Sequence, residues 1–250
     1  MPETKDSVVY SRATVVISWD DVPWLDESTK AEIRAGTPPH LRATVSRGIP
    51  TVGSGAIYPI PVDDVLYDSF PIPDHYKKMY GMDVGFNYTA AVFGALDPDT
   101  DCLYIYGEHI AEKQIPEIHA AAIKRVAGDW MPGVIDPSST QGSHFDGDKL
   151  IREYRSLGLR VRPADNAIGE GIHKVWRRLE TGSLKFARGN ATARLQSEYL
   201  MYRRDDNGKI VKEHDHLMDA LRYMCNTLHF ASVQPAKNRI MPTARRLYNV

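Results

Sequence analysis

A chain of 250 residues with 42% hydrophobic and 25% charged content fits one or two ordinary globular domains and can bury a real core. The formal net charge of -1 excludes a global attraction to nucleic acid or an anionic membrane, so a polyanion site has to be a local patch. No apolar run approaches the ~20 residues that span a bilayer, MPETKDSVVYSR lacks a signal-peptide core, and Cys102 and Cys225 have neither metal-ligand spacing nor partners for a framework; a soluble protein of a reducing cytosol, with no membrane partner, is expected.

The first sixty or so residues differ in texture from the rest. SRATVVISWDDVPWLDESTKAEIRAGTPPHLRA holds one short β-like run and one short helical run. IPTVGSGAIYPIPVDD is rich in Gly and Pro, and its prolines deny both helix continuation and central strand pairing. A boundary therefore falls between Gly48 and Pro73, which predicts a linker-like extension over residues 1–72, a main domain over 73–232 and a basic tail over 233–250. From His75 the pattern is that of an α/β domain. KKMYGMDVGF, and the two apolar runs flanking the turn-forming DPDTD, predict three antiparallel strands. IPEIHAAAIKRVAGDW has helical spacing and PGVIDPSS is a short apolar strand stopped by Pro137, so a crossover is implied. Helix then strand recurs in GDKLIREYRSLG with LRVRPAD and again in GIHKVWRRLETGSLKFA, which predicts a mixed central sheet flanked by helices. LQSEYLMYRR reads as a helix, RRDDNGKIVK as a hairpin turning at Asn207-Gly208, and DHLMDALRYMCNTLHF as a closing helix.

Four aspartates carry the chemistry of this pattern. Asp83 interrupts an apolar strand between Gly81 and Gly85, where a carboxylate is costly unless paired or bound to a cation, although an Asp facing solvent at a strand end is the alternative. Asp136 ends another strand, where α/β folds display functional groups, but an Asx-type turn before Pro137 explains it as well. Asp215 stands at a helix N-cap and Asp219 near the positive end of the helix dipole, so capping alone accounts for each. Helical spacing puts Leu217, Leu221, Met224 and Leu228 on one stripe, and Asp215, Asp219 and Arg222 on another face. Converging carboxylates repel one another without cations, and hard oxygen ligands suit Mg²⁺ or Mn²⁺; two such ions serve phosphodiester hydrolysis.

GMDVGFNYTAAVFGAL, GVIDPSS and HDHLMDALRYM, in this order and over this length, resemble the nuclease domain of the large terminase subunit of tailed bacteriophages, from about Tyr80 to Phe230. The resemblance implies an RNase H-like fold and a centre in which Asp83, Asp136, Asp215 and Asp219 are catalytic and hold two Mg²⁺ or Mn²⁺ ions. His216 lies inside the late motif, either near the metals or as an exposed helix histidine. The activity implied is cutting of concatemeric double-stranded DNA in the cytoplasm of an infected bacterium, with the small terminase subunit and the capsid portal as partners. ISWDDVPWLDE and GIPTVGSGAIYP resemble the end of the family's packaging ATPase and the lead into its nuclease. No G-x-x-x-x-G-K-[ST] occurs, so an ATPase site is not expected in this chain, which reads as a C-terminal portion of a terminase or a separately made nuclease domain.

Local charge nominates Lys174, Arg177 and Arg178, the hairpin pair Arg203 and Arg204, and the acid-free stretch from Lys237 to Arg246 as DNA contacts; such runs are more often solvated faces, and the hairpin is favoured because it immediately precedes the acidic helix. Two rivals stay open. GMDVG also resembles the first phosphate loop of actin-like ATP-binding proteins, which needs a second glycine-rich loop and finds only IGEGI. A non-catalytic docking module of the same fold is the other, and the presence of all four acidic positions weighs against it.

Overall fold

The computed structural model describes residues 18–36, 46, 55–85, 87–136, 143–205 and 207–235. The N-terminal β-like run falls almost wholly in residues 11–17 and the basic stretch from Lys237 lies further on, both outside the described residues. The named elements are α1 (Glu27–Gly36), β1 (Leu66–Tyr67), β2 (Lys77–Val84), β3 (Tyr88–Leu96), β4 (Leu103–Glu112), α2 (Pro116–Ala127), β5 (Pro132–Ile135), α3 (Ser143–Ser156), β6 (Arg160–Pro163), α4 (Ile168–Glu180), β7 (Leu184–Ala187), α5 (Ala193–Met201) and α6 (His216–Asn226).

The strands form one sheet in the order β1-β7-β4-β3-β2-β5-β6. The meander β2-β3-β4 is antiparallel, as the apolar runs around DPDTD predict, and it is joined by parallel β5 and β6 on one side and parallel β7 and β1 on the other. Alternation along the strands serves two cores. In β3, Ala90 and Val92 enter one cluster while Ala91 and Phe93 enter the other, as the period of two requires. The first cluster lies under α4, α5 and α6; the second lies under α2 and the part of α3 that bears Ile151 and Tyr154. Pro116 opens α2 with its φ already set for a helix, and Lys124 and Arg125 complement the dipole in the last turn.

Two sequence expectations take a different form. Residues Leu217 to Asn226 of α6 are all buried, so the closing helix is not two-faced. It is wedged between the sheet at β2, β3 and β5 and the helices α4 and α5. Gly81 permits this, because a β-carbon there would overlap the Ala220 carbonyl oxygen of α6. Gly171 of α4 makes room in the same way for the Arg222 side chain. The second concerns residues 55–72, which texture groups with the extension. Ile57, Tyr58 and Val65 belong to the first core, and Leu66 and Tyr67 pair with Phe186 and Ala187 of β7. The Tyr58 ring stacks on Tyr199 at 6.2 Å and on Tyr202 at 5.7 Å between centroids. The turn at Asn207-Gly208 forms with Gly208 at φ 77 and Asp205 N–H donating to Lys209 O at 2.7 Å, but the flanking arms contribute only the single bridge Arg204↔Ile210.

Candidate metal centre

Asp83 lies near the end of β2 on the face it shares with Met79 and Gly81, which is the face α6 covers. Asp136 directly follows β5, and its N–H donates to Met82 O at 3.0 Å, continuing the parallel β2-β5 ladder. The two aspartates therefore stand side by side at one end of adjacent strands, the position where open α/β sheets place their ligands. Because α6 packs directly on Gly81, its first turn is carried to the same end, bringing Asp215 and Asp219 alongside. All four aspartates, with His216, line one cleft of about 430 Å³.

Each carboxylate has a distinct setting. Asp219 Oδ1 accepts from Arg222 Nε at 3.3 Å and Tyr202 Oη at 3.4 Å, and Arg222 Nη2 lies 3.2 Å away. Its Oδ2 accepts from Lys212 Nζ at 2.8 Å. The same ammonium sits 2.9 Å from Asp215 Oδ2 as an ion pair without hydrogen-bond alignment, so that buried oxygen has no hydrogen-bond partner among the described residues. Asp83 Oδ2 lies 2.9 Å from His216 Nδ1, and whenever the carboxylate is ionised it accepts a hydrogen bond from a proton carried on Nδ1. The imidazole stacks on Tyr88 at 5.0 Å. His216 is thus half-buried against Asp83, and not an exposed helix histidine.

Burial raises the Asp83 pKa, the Asp219 and Asp136 charges push it further up, and the His216 hydrogen bond opposes the rise. That same bond lifts the His216 pKa against the opposing effect of burial.

The capping role that the sequence allows for Asp215 belongs to another residue. Asp215 occupies the N-cap of α6, and its carbonyl accepts the Asp219 N–H at 2.8 Å, but its side chain makes no capping bond. Glu198 of α5 does so instead, with Oε2 accepting the Leu217 N–H at 2.7 Å and the Met218 N–H at 3.4 Å. Burial outweighs these two bonds and pushes the Glu198 carboxyl up to about 7.

Sequence reasoning missed Glu198, Lys212, and Tyr202. Lys212 had a local signal in its three-residue spacing from Asp215. Glu198 and Tyr202 had none, since they reach α6 only through the packing of α5.

The nominated DNA contacts are not gathered here. Lys174 pairs with Glu170 at 2.7 Å, and Arg178 forks onto Asp101 at 3.0 and 3.2 Å. With Arg177 they line a separate cleft beside Cys225 and Asn226, at the opposite end of α6. Arg203 and Arg204 are exposed on the arm that leads to Lys212, where Val211 N–H donates to Arg203 O at 3.0 Å.

Among the described residues, the set of three potential ligands whose atoms all lie within 4.8 Å of one another is His75, Asp97 and Asp99, not the four aspartates. That set stands at the far end of the β2-β3 pair, and the Asp97 carboxylate is engaged in its own turn with Asp99 N–H at 3.0 Å and Thr100 Oγ1 at 2.8 Å. The four cleft aspartates, two of them bridged by Lys212, nonetheless fit hard divalent cations. They supply oxygen donors only, one of them a buried oxygen without a hydrogen bond.

Residues 80–228 match the family described as Terminase RNaseH-like domain. The chain is 28% identical over 221 residues to the large terminase subunit of Enterobacteria phage LP7, covering 85% of this chain and 46% of that protein. It thus spans less than half the length of this curated relative. Among solved structures, the P22 large terminase nuclease domain superposes with a TM-score of 0.67 at 27% identity, covering 73% of this chain and 97% of that one. The large terminase nuclease domain of bacteriophage SPP1 with bound Mn, at 18% identity and a TM-score of 0.51 over 66% of this chain and 96% of that one, shares the fold.

Proposed function

Because the chain belongs to the terminase RNaseH-like domain family, we propose that it is the metal-dependent endonuclease part of a viral DNA-packaging terminase, cutting concatemeric double-stranded DNA by phosphodiester hydrolysis. The observation that carries this reading is the convergence of Asp83, Asp136, Asp215 and Asp219 on one cleft. They would hold two Mg²⁺ or Mn²⁺ ions, which, when bound, supply activation of a water and charge neutralisation at the scissile phosphate.

The chain's own contribution is to fix the donors and limit their charge. His216 orients Asp83 through Nδ1, and its ring plane is set by Tyr88. Arg222 and Tyr202 fix one oxygen of Asp219, leaving the other toward Lys212. The Lys212 ammonium neutralises the Asp215-Asp219 pair from a side chain that is 59% exposed. Little sequence preference is expected; choice of the cutting point belongs to the packaging machine. The small terminase subunit and the capsid portal are the proposed partners, and the cytoplasm of the infected bacterium the proposed place of action.

The test is plasmid cleavage. Supercoiled DNA should be nicked and linearised with Mg²⁺ or Mn²⁺ and left intact in EDTA. Full cleavage in chelator, or cutting at one recognition sequence only, would overturn the proposal.

A further inference from the structure

An aspartate at a helix N-cap ordinarily turns its carboxylate back onto the amides of the first turn, because those donors have no partner inside the helix. Asp215 does not: its side chain makes no capping bond, and its buried Oδ2 accepts no aligned hydrogen bond among the described residues, facing instead the Lys212 ammonium at 2.9 Å as an ion pair. The amides it leaves are taken by Glu198, which reaches across from α5 and receives the Leu217 N–H at 2.7 Å and the Met218 N–H at 3.4 Å on one oxygen. We propose that Glu198 is a positioning residue, which caps α6 from a neighbouring helix and thereby keeps the Asp215 carboxylate available to a divalent cation. This inference rests on the metal-binding reading of the cleft given above.

The physical argument is a competition for one carboxylate. First-turn amides and a divalent cation both want the Asp215 oxygens, and the amides are covalently near while the cation has to be captured from solution. With Glu198 in place the amides are already satisfied, so ligation costs no amide hydrogen bond and has only to displace the largely exposed Lys212 ammonium. Without it, Asp215 has to choose between capping its own helix and holding metal. The position of the capping oxygen, and not its charge, is what matters, and this separates the proposal from simple electrostatic attraction of cations by one more acid.

The experiment is calorimetric titration of the whole chain with Mn²⁺ in the absence of DNA, with thermal unfolding in EDTA as a second readout. Glu198→Gln keeps an oxygen at the right reach and loses the charge; Glu198→Asp keeps the charge and falls one methylene short. The expected result is near wild-type affinity for Glu198→Gln and a loss of about 10-fold or more for Glu198→Asp, the scale seen when supporting groups around metal ligands are removed. Equal binding by Glu198→Asp and wild type overturns the proposal, as does weakening that follows charge, with Glu198→Gln impaired and Glu198→Asp intact. Glu198→Ala should match Glu198→Asp, and if it fails to fold the Asp and Gln pair still decides. Absence of Mn²⁺ binding by the wild-type chain overturns the metal-binding reading and this inference together, whereas binding with the wrong order of variants overturns only this inference.

Discussion

Asp83 is placed where a carboxylate is expensive: on the helix-covered face of a strand, with two other carboxylates near enough to raise its pKa. Replacing it with Ala should abolish cleavage while leaving the thermal midpoint in EDTA unchanged or higher, because repulsion is relieved; cleavage at the wild-type rate would show that Asp83 is structural. Lys212 works in the opposite sense. Lys212→Met leaves Asp215 and Asp219 facing each other without their shared cation, and, since the lysine is largely exposed and screened, the expected loss is about 1 kcal/mol in EDTA. Excess Mn²⁺ should shrink that difference, as read by thermal unfolding with and without the ion. Glu198 gives a pH signature. Its folded-state pKa of about 7 lies above the ordinary value of 4.5, so the protonated form is favoured on folding. The stabilisation is complete below pH 4.5 and is lost as pH rises through about 7, on the order of 3 kcal/mol in all. Unfolding free energy of the wild type should fall across this window, and that of Glu198→Gln should lose this component of the slope. Asp83 and Asp136 were legible in the sequence because each breaks or ends an apolar run. The capping of α6 was not, since 19 residues separate Glu198 from Leu217 and no local pattern links them.

Among the elements, α6 shows most clearly how far periodicity reaches. The stripe of Leu217, Leu221 and Met224 is buried as its spacing predicts, yet the opposite face with Asp219 and Arg222 is buried too. Periodicity alone does not send the charged residues of that face into the core, and their mutual pairing, with Tyr202 and Lys212 added from outside the helix, makes burial tolerable. The antiparallel meander was legible from alternation and DPDTD, whereas the closeness of β2 and α6 depended on Gly81, which the sequence marks only as a flank of Asp83. Gly81→Ala drives a methyl group into the Ala220 carbonyl. The strain should cost about 1–3 kcal/mol, lowering the thermal midpoint by several degrees. Because α6 has to shift to relieve it, Mn²⁺ affinity should fall as well; an unchanged midpoint in circular dichroism melts would show that the helix has slack.

For the molecule as a whole, the extension and the main domain are not divided where composition changes. A change in Gly and Pro content marks a change in backbone regularity, and an irregular segment can still be anchored by a few side chains, as Tyr58 is between Tyr199 and Tyr202. A chain started at residue 55 should melt close to the full-length protein, while one started at residue 73 leaves Tyr199, Tyr202 and Phe186 uncovered and should melt lower or aggregate; equal midpoints for the two would show that the segment is only draped on the surface. The borders of the sheet carry a further consequence. One border is β1, only two residues long, and the other is β6, where Arg160 and Arg162 are exposed and Pro163 has no N–H to offer. Short, cationic and proline-bearing margins give an incoming strand almost no backbone to zip against. Among the described residues, both margins of the sheet therefore resist fusion with the sheet of another molecule.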